Sequence, residues 1–166
     1  MVSNRRYQVI SSQCLQLTSR YVGYDALCDW KKIQDTQLLP YTHNWHAVAA
    51  LHMRLNQISS IGLEEVFMKH KEIQVYTRDR LVKMGVELYI PKIEDASPTV
   101  TAGFVPKGWT WEHLDTKLRE KGVVLGGTYG KVKGQLFRIG HMGTQASLDL
   151  VKKGLDVLEE ILGNKH

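Results

Sequence analysis

The sequence has 166 residues, of which 43% are hydrophobic and 23% are charged. This composition is typical of one globular domain, and a chain of this length buries enough apolar surface to fold without disulfides. Its longest apolar runs are far shorter than the ~20 residues that cross a bilayer, so we expect neither a membrane span nor a secretory signal. The two cysteines, Cys14 and Cys28, lack zinc-finger spacing and predict reduced thiols in a cytoplasmic protein.

The excess of basic residues is modest. The net charge is +5 at pH 7, and such an excess attracts anionic ligands, including nucleic acid. No nucleic-acid-binding motif or aromatic stacking surface accompanies the basic residues, so we do not expect nucleic acid and interpret them as a solvated face. This basic stripe consists of Lys117, Arg119, Lys121, Lys131 and Lys133.

Proline divides the chain near its first quarter. Residues 1–40 show no sustained apolar period and are interpreted as an N-terminal arm and connecting segment. Pro40 disfavours helix in the residue before it and marks the boundary. The remaining residues, 41–166, are predicted to form one small domain.

Two helices are predicted next. Apolar residues recur at helical spacing over residues 45–55, and either Thr42 or Asn44 is placed to cap this helix. A longer helical pattern over residues 63–84 ends at Gly85, a residue that accepts the left-handed conformation found after helices.

From residue 86 onward, strand and helix signals alternate. Thr110 is placed to cap a helix that runs to Lys121 and stops at Gly122, and Thr144 is placed to cap the last helix. Gly126-Gly127 is interpreted as a bend. The predicted strands are residues 86–90, 99–105, 123–125 and 135–140. The order ααββαββα predicts an α+β fold, in which a small, mainly antiparallel sheet has helices packed on one side.

The histidines do not form a recognisable metal motif. Two ligands on one helical face need i, i+4 spacing, and His43, His46 and His52 do not have it. We therefore predict no metal site, and we assign no catalytic residue in this chain.

One strand carries an arginine between apolar residues. Strand alternation places Phe137 and Ile139 on one face and Arg138 on the other. An arginine there needs a partner, because an unpaired buried charge is costly. That partner is either a carboxylate of the chain itself or an external carboxylate bound through two parallel hydrogen bonds.

The segment around this arginine, Phe137-Arg138-Ile139-Gly140-His141-Met142-Gly143, resembles the C-terminal signature of class V aminotransferases, which use pyridoxal 5'-phosphate and include the serine–pyruvate and alanine–glyoxylate enzymes. Four more segments resemble that family in the same order. They are Tyr41-Thr42, Ile61-Gly62-Leu63-Glu64-Glu65-Val66 with Lys69-His70, Ser97-Pro98-Thr99-Val100-Thr101, and Leu125-Gly126-Gly127 with Gly130-Lys131.

The resemblance implies roles for three residues. Arg138 would bind the α-carboxylate of a small amino acid or 2-keto acid. Thr42, and Tyr41 beside it, would contact the cofactor phosphate bound by the neighbouring subunit of a homodimer. A phosphate is held by several hydrogen bonds, which hydroxyl and backbone donors supply.

The family also needs a lysine that holds the cofactor covalently, within a large N-terminal domain of roughly two hundred residues. We find neither in this sequence, so we expect the C-terminal small domain of an aminotransferase, inactive by itself. The alternative is a stand-alone domain that binds a small carboxylate, or another partner, without catalysis.

Overall fold

A computed structural model describes residues 36, 37, 42 and 44–163. The chain separates into two compact units, Met1–Arg54 and Leu55–His166. Most of the predicted arm lies outside the described residues, and the division at residue 40 stays a prediction. Among the described residues, no helix is long and apolar enough to cross a membrane.

The first described helix, α1, spans Trp45–Ile61. Of the two predicted caps, Asn44 takes the role, because its Oδ1 accepts the Ala47 N–H at 3.1 Å. No residue of α1 is buried. The apolar face predicted for this helix is therefore exposed, including Trp45 and Val48.

The second helix, α2, spans Leu63–Lys83 and differs between its two halves. Its first half exposes Leu63 and Phe67, whereas its second half buries Ile73 and Leu81. The helix ends as predicted near Gly85, whose φ of +78° is the left-handed conformation that glycine adopts easily.

A three-stranded antiparallel sheet lies at the centre of the second unit. Its strands are β1 (Val100–Phe104), β2 (Gly126–Gly127) and β3 (Leu136–Gly140), and β3 lies between the other two. Helix α3 (Trp111–Glu120) precedes β2, and helix α4 (Leu148–Gly163) follows β3. The predicted α+β class with a small antiparallel sheet is confirmed.

The helices and one sheet face share a single core. Phe137 and Ile139 project from β3 into it, as the strand alternation predicts. The helices contribute Ile73 and Leu81 from α2, Leu114 and Leu118 from α3, and Val151, Leu155, Leu158 and Ile161 from α4. As predicted, Thr110 caps α3, since its Oγ1 accepts the His113 N–H at 3.2 Å.

The strand predicted at residues 86–90 is wrong in extent. Only Leu88 forms a bridge, to Gly103 of β1. The ladder cannot continue, because Pro91 has no N–H and its carbonyl accepts a 2.7 Å bond from the buried Arg78 guanidinium, which draws the chain toward α2. The element order in the described residues is therefore ααβαββα.

The other two corrections concern segments on either side of β3. The strand predicted at 123–125 forms at Gly126–Gly127 instead, because Val123 N–H is already bonded to Leu118 O at the end of α3. Thr144 lies in a short 3-10 helix, Gly143–Gln145, and does not cap α4. The first carbonyl bonded in α4 belongs to Ser147, which accepts the Val151 N–H at 3.0 Å.

Candidate carboxylate-binding site

Arg138 occupies the centre of the sheet face opposite the core. It lies in β3 across from Ala102 of β1 and Gly126 of β2, and residues directly opposite each other in a sheet point to the same face. The arginine is therefore flanked by a methyl group on one side and a hydrogen on the other. A Cβ at position 126 would lie 3.5 Å from Arg138 Nη2. These small neighbours leave the guanidinium accessible.

A single backbone bond orients the guanidinium. Arg138 Nε donates to the Gly127 carbonyl oxygen at 2.9 Å. In the part of the chain that the structure describes, the two Nη groups have no hydrogen-bond partner and no carboxylate lies within ion-pair distance of Arg138. The exposed position of the side chain removes the burial cost that would demand an internal partner. Of the two partners considered for Arg138, the described residues do not provide the internal one.

The strand that holds this carbonyl is supported from below by aromatic rings. The Trp111 and Phe137 rings stack with an interplanar angle of 7°. A Cβ at position 127 would lie only 2.6 Å from Trp111 Nε1, closer than such atoms approach one another. Because Gly127 has no side chain, β2 packs directly against the indole. This packing fixes the position of the Gly127 carbonyl oxygen that Arg138 contacts.

The loop after β2 brings an aromatic ring to the arginine. Thr128 Oγ1 is close to two carbonyl oxygens, those of Val132 at 2.6 Å and Leu136 at 3.3 Å, and this ties the loop back to the start of β3. The next residue, Tyr129, has its ring centroid 5.9 Å from Arg138 Cζ, within the distance of a cation–π contact.

The segment after Arg138 is held by two histidines. The buried His141 ring contacts Thr101 Oγ1 through Nε2 at 2.9 Å. Burial, together with the nearby His70, lowers the pKa of His141, so this ring is neutral at pH 7. His70 accepts the Gly143 N–H at Nε2 (3.2 Å) and donates from Nδ1 to Val66 O (2.7 Å), which assigns its Nδ1–H tautomer.

The chain is similar in sequence and in structure to known aminotransferases. It is 33% identical over 131 residues to alanine–glyoxylate aminotransferase of Callithrix jacchus, an alignment covering 77% of this chain and 32% of the relative. The crystal structure of alanine–glyoxylate aminotransferase from Nostoc sp. matches with a TM-score of 0.71 and 26% identity over 79% of this chain and 35% of that one. Pyridoxamine–pyruvate aminotransferase from Mesorhizobium loti matches with a TM-score of 0.73 and 28% identity over 83% and 36%.

The homologues of this chain are class V aminotransferases. The resemblance predicted from the sequence is thus confirmed, although no family model matches the chain. The chain spans about a third of the length of each of these three aminotransferases.

Two of the three site residues implied by the resemblance, Tyr41 and Thr42, come well before the strands of this sheet in the sequence. Thr42 is exposed and belongs to the first unit, whereas Arg138 belongs to the second. Tyr41 lies outside the described residues. The roles assigned to Thr42, Tyr41 and Arg138 remain predictions.

The remaining sequence candidates provide no further site. In the described ranges, no group of three or more histidine, cysteine or acidic side chains is close enough to hold a metal ion. Three members of the basic stripe are neutralised locally. The ion pairs are Lys117–Glu120, Arg119–Asp115 and Lys121–Glu160.

Sequence reasoning missed the surroundings of Arg138. Neither the Gly127 carbonyl nor the Tyr129 ring is singled out, since Gly126-Gly127 is interpreted as a bend and no element is predicted at Tyr129. A signal was present in the sequence: two consecutive glycines shortly before a strand indicate a close approach of backbone to another group.

Proposed function

We propose that this chain is the C-terminal portion of a pyridoxal-phosphate-dependent aminotransferase, in which Arg138 binds the α-carboxylate of the substrate. The reaction transfers an amino group between a small amino acid, such as alanine or serine, and a 2-keto acid, such as pyruvate or glyoxylate. The observation that carries the proposal is the exposed Arg138 guanidinium, which is fixed at Nε and, among the described residues, has no partner at either Nη group.

This geometry suits a carboxylate. The guanidinium is planar, and its paired N–H groups match the two oxygens of a carboxylate in parallel hydrogen bonds. Because Nε is anchored to the Gly127 carbonyl, the remaining donors point in a defined direction. A substrate bound through its carboxylate would thereby be oriented as well as attracted, and orientation is a large part of what an enzyme supplies.

The cofactor supplies an electron sink for the bonds at the α-carbon when it is bound. In this chain, Thr42 and Tyr41 are the residues we propose to contact its phosphate. Thr42 fits that role because its side chain is exposed and Asn44, not Thr42, caps α1. The lysine that holds the cofactor would come from a large N-terminal domain, so we propose that this chain alone neither binds the cofactor covalently nor turns over. The intact enzyme would be a cytoplasmic homodimer.

A chimera tests the proposal. In the Nostoc alanine–glyoxylate aminotransferase, the matching third would be replaced by this chain, and alanine–glyoxylate transamination would be measured. We expect a cofactor-loaded dimer with activity, and no activity from this chain alone mixed with pyridoxal phosphate. A folded, cofactor-loaded chimera without activity would contradict the proposal, as would turnover by the isolated chain with borohydride trapping of cofactor on one lysine.

A further inference from the structure

Tyr129 is an aromatic residue whose side chain does not pack into the hydrophobic core. It is 82% exposed, so burial of its ring contributes little to folding. Exposed aromatic residues are ordinary where the chain is free to move, but the backbone here is constrained on both sides. The Thr128 hydroxyl donates to the Val132 carbonyl oxygen at 2.6 Å, and Gly130 has a left-handed φ of +63° at the start of a 3-10 helix.

In this constrained segment, the Tyr129 ring lies near the Arg138 guanidinium. Among the described residues, Tyr129 supplies the aromatic ring within cation–π distance of Arg138, at 5.9 Å. The positions flanking Arg138 in the sheet, Ala102 and Gly126, are too small to cover the guanidinium. Among the described residues, Tyr129 is thus a large side chain that lies beside the guanidinium.

From this arrangement we propose that Tyr129 is a positioning residue for the substrate carboxylate, which acts by holding the Arg138 guanidinium; this role rests on the function proposed for Arg138. A carboxylate held by two parallel bonds lies in the plane of the guanidinium. The Tyr129 ring lies against the guanidinium itself, with its centroid 5.9 Å from Arg138 Cζ. The ring also excludes water from one side of the ion pair, which strengthens the pair by lowering the local dielectric.

The role is assigned to the ring, because the ring is the part of Tyr129 that contacts Arg138. Within the described residues, the Tyr129 hydroxyl takes part in no hydrogen bond, whereas the ring contacts Arg138. Phenylalanine therefore preserves the proposed contact, while leucine keeps bulk and loses the aromatic face. The ligand class is a small monocarboxylate with a flat or short substituent, such as pyruvate or alanine.

The test is a titration of the 166-residue chain with pyruvate, followed by NMR at the Arg138 side-chain Nε–H. Ionic strength is held constant, because salt screens exposed charge pairs. Pyruvamide, which lacks the charge, is the control ligand. The Nε–H of Arg119, already paired with Asp115, is the internal control. Thermal unfolding of each variant checks that the fold is kept.

We expect a saturable shift at Arg138 with pyruvate and none with pyruvamide. Tyr129→Phe should bind within twofold of the parent chain. Tyr129→Leu should bind about two- to fivefold more weakly, because pyruvate must then order a guanidinium that the exposed cation–π contact no longer holds. Both variants should keep the parent melting temperature, since the side chain is exposed.

The outcomes separate this inference from the proposed function. Arg138→Lys lacks the Nε–H, so its pyruvate binding is followed at the Gly127 backbone amide. If Arg138→Lys weakens pyruvate binding but Tyr129→Leu binds like the parent, the role of Tyr129 is wrong and the function stands. If Tyr129→Phe is as weak as Tyr129→Leu, the hydroxyl acts and the ring argument fails. If Arg138 shows no saturable shift in the isolated chain, the role of Tyr129 is overturned, whereas the function proposed for Arg138 is decided by the chimera.

Discussion

Replacing Gly127 by alanine tests how the sheet supports the site. The new Cβ would lie 2.6 Å from Trp111 Nε1 and 3.0 Å from its Cε2, whereas ordinary contacts begin near 3.4 Å. The indole cannot tilt away freely, because it stacks on the buried Phe137 ring. Either the indole or β2 must shift by several tenths of an ångström. Overpacking of this kind costs about 1–3 kcal/mol.

The assay is urea unfolding of the 166-residue chain, with Gly140→Ala as the matched control. Gly140 is also in the sheet, but a Cβ there meets nothing within 4 Å, so we expect its unfolding free energy to change by no more than about 0.5 kcal/mol. Gly127→Ala should lower the urea midpoint without changing the slope. Equal midpoints for the two variants would refute the reasoning that Gly127 is needed for close contact with Trp111.

Three further predictions concern His141, Asp156 and Thr42. Because burial lowers the folded-state pKa of His141, the unfolded chain binds a proton more readily than the folded chain below about pH 6.5. The free energy of unfolding should therefore fall with acidification by up to about 1.4 kcal/mol per pH unit. His141→Leu should flatten that slope in urea titrations, and an unchanged slope would show that His141 does not cause it. Hydrogen bonds from Lys152 and Arg80 lower the pKa of Asp156, so its contribution to stability is present at neutral pH and lost as pH falls through its folded-state pKa. Asp156→Asn should therefore lower the urea midpoint at pH 7 but not in acid. A difference between variant and parent that persists in acid would contradict this. Thr42→Ala in the chimera should weaken retention of pyridoxal phosphate while leaving the melting temperature of the cofactor-free chimera unchanged, because Asn44 caps α1; equal cofactor affinity would remove Thr42 from the phosphate site.

Several elements could be predicted because their signals are local. The cap at Thr110 and the helix end at Gly85 depend on neighbouring residues alone, and both are found where the sequence places them. The alternation of Phe137, Arg138 and Ile139 follows from strand geometry, and it correctly separates the core face from the open face. These features require no knowledge of the rest of the fold.

The errors arise where a distant contact decides the structure. Residues 86–90 have strand-forming side chains, but the bond from Arg78 to the Pro91 carbonyl ends the pairing after Leu88. β2 forms at two glycines, which have low strand propensity, and at Gly127 a Cβ would lie 2.6 Å from Trp111 Nε1, so this position needs glycine. The partners of Arg138 were missed for the same reason, since Gly127 and Tyr129 reach it only after the sheet has formed.

The central claim is that Arg138 binds the substrate carboxylate, and the kinetics of Arg138→Lys in the chimera test it most directly. Lysine keeps the charge but replaces the two-pronged donor by a single point, so the substrate loses one parallel hydrogen bond and its orientation. A charge-assisted hydrogen bond contributes about 1.5–3 kcal/mol, which predicts a fall in kcat/KM of roughly ten- to a hundredfold for lysine and more for alanine. The melting temperature should stay unchanged, because Arg138 is exposed and has no ion pair among the described residues. A sharp drop in melting temperature for Arg138→Ala, with carboxylate substrates and amine substrates that lack a carboxylate affected equally, would contradict the account.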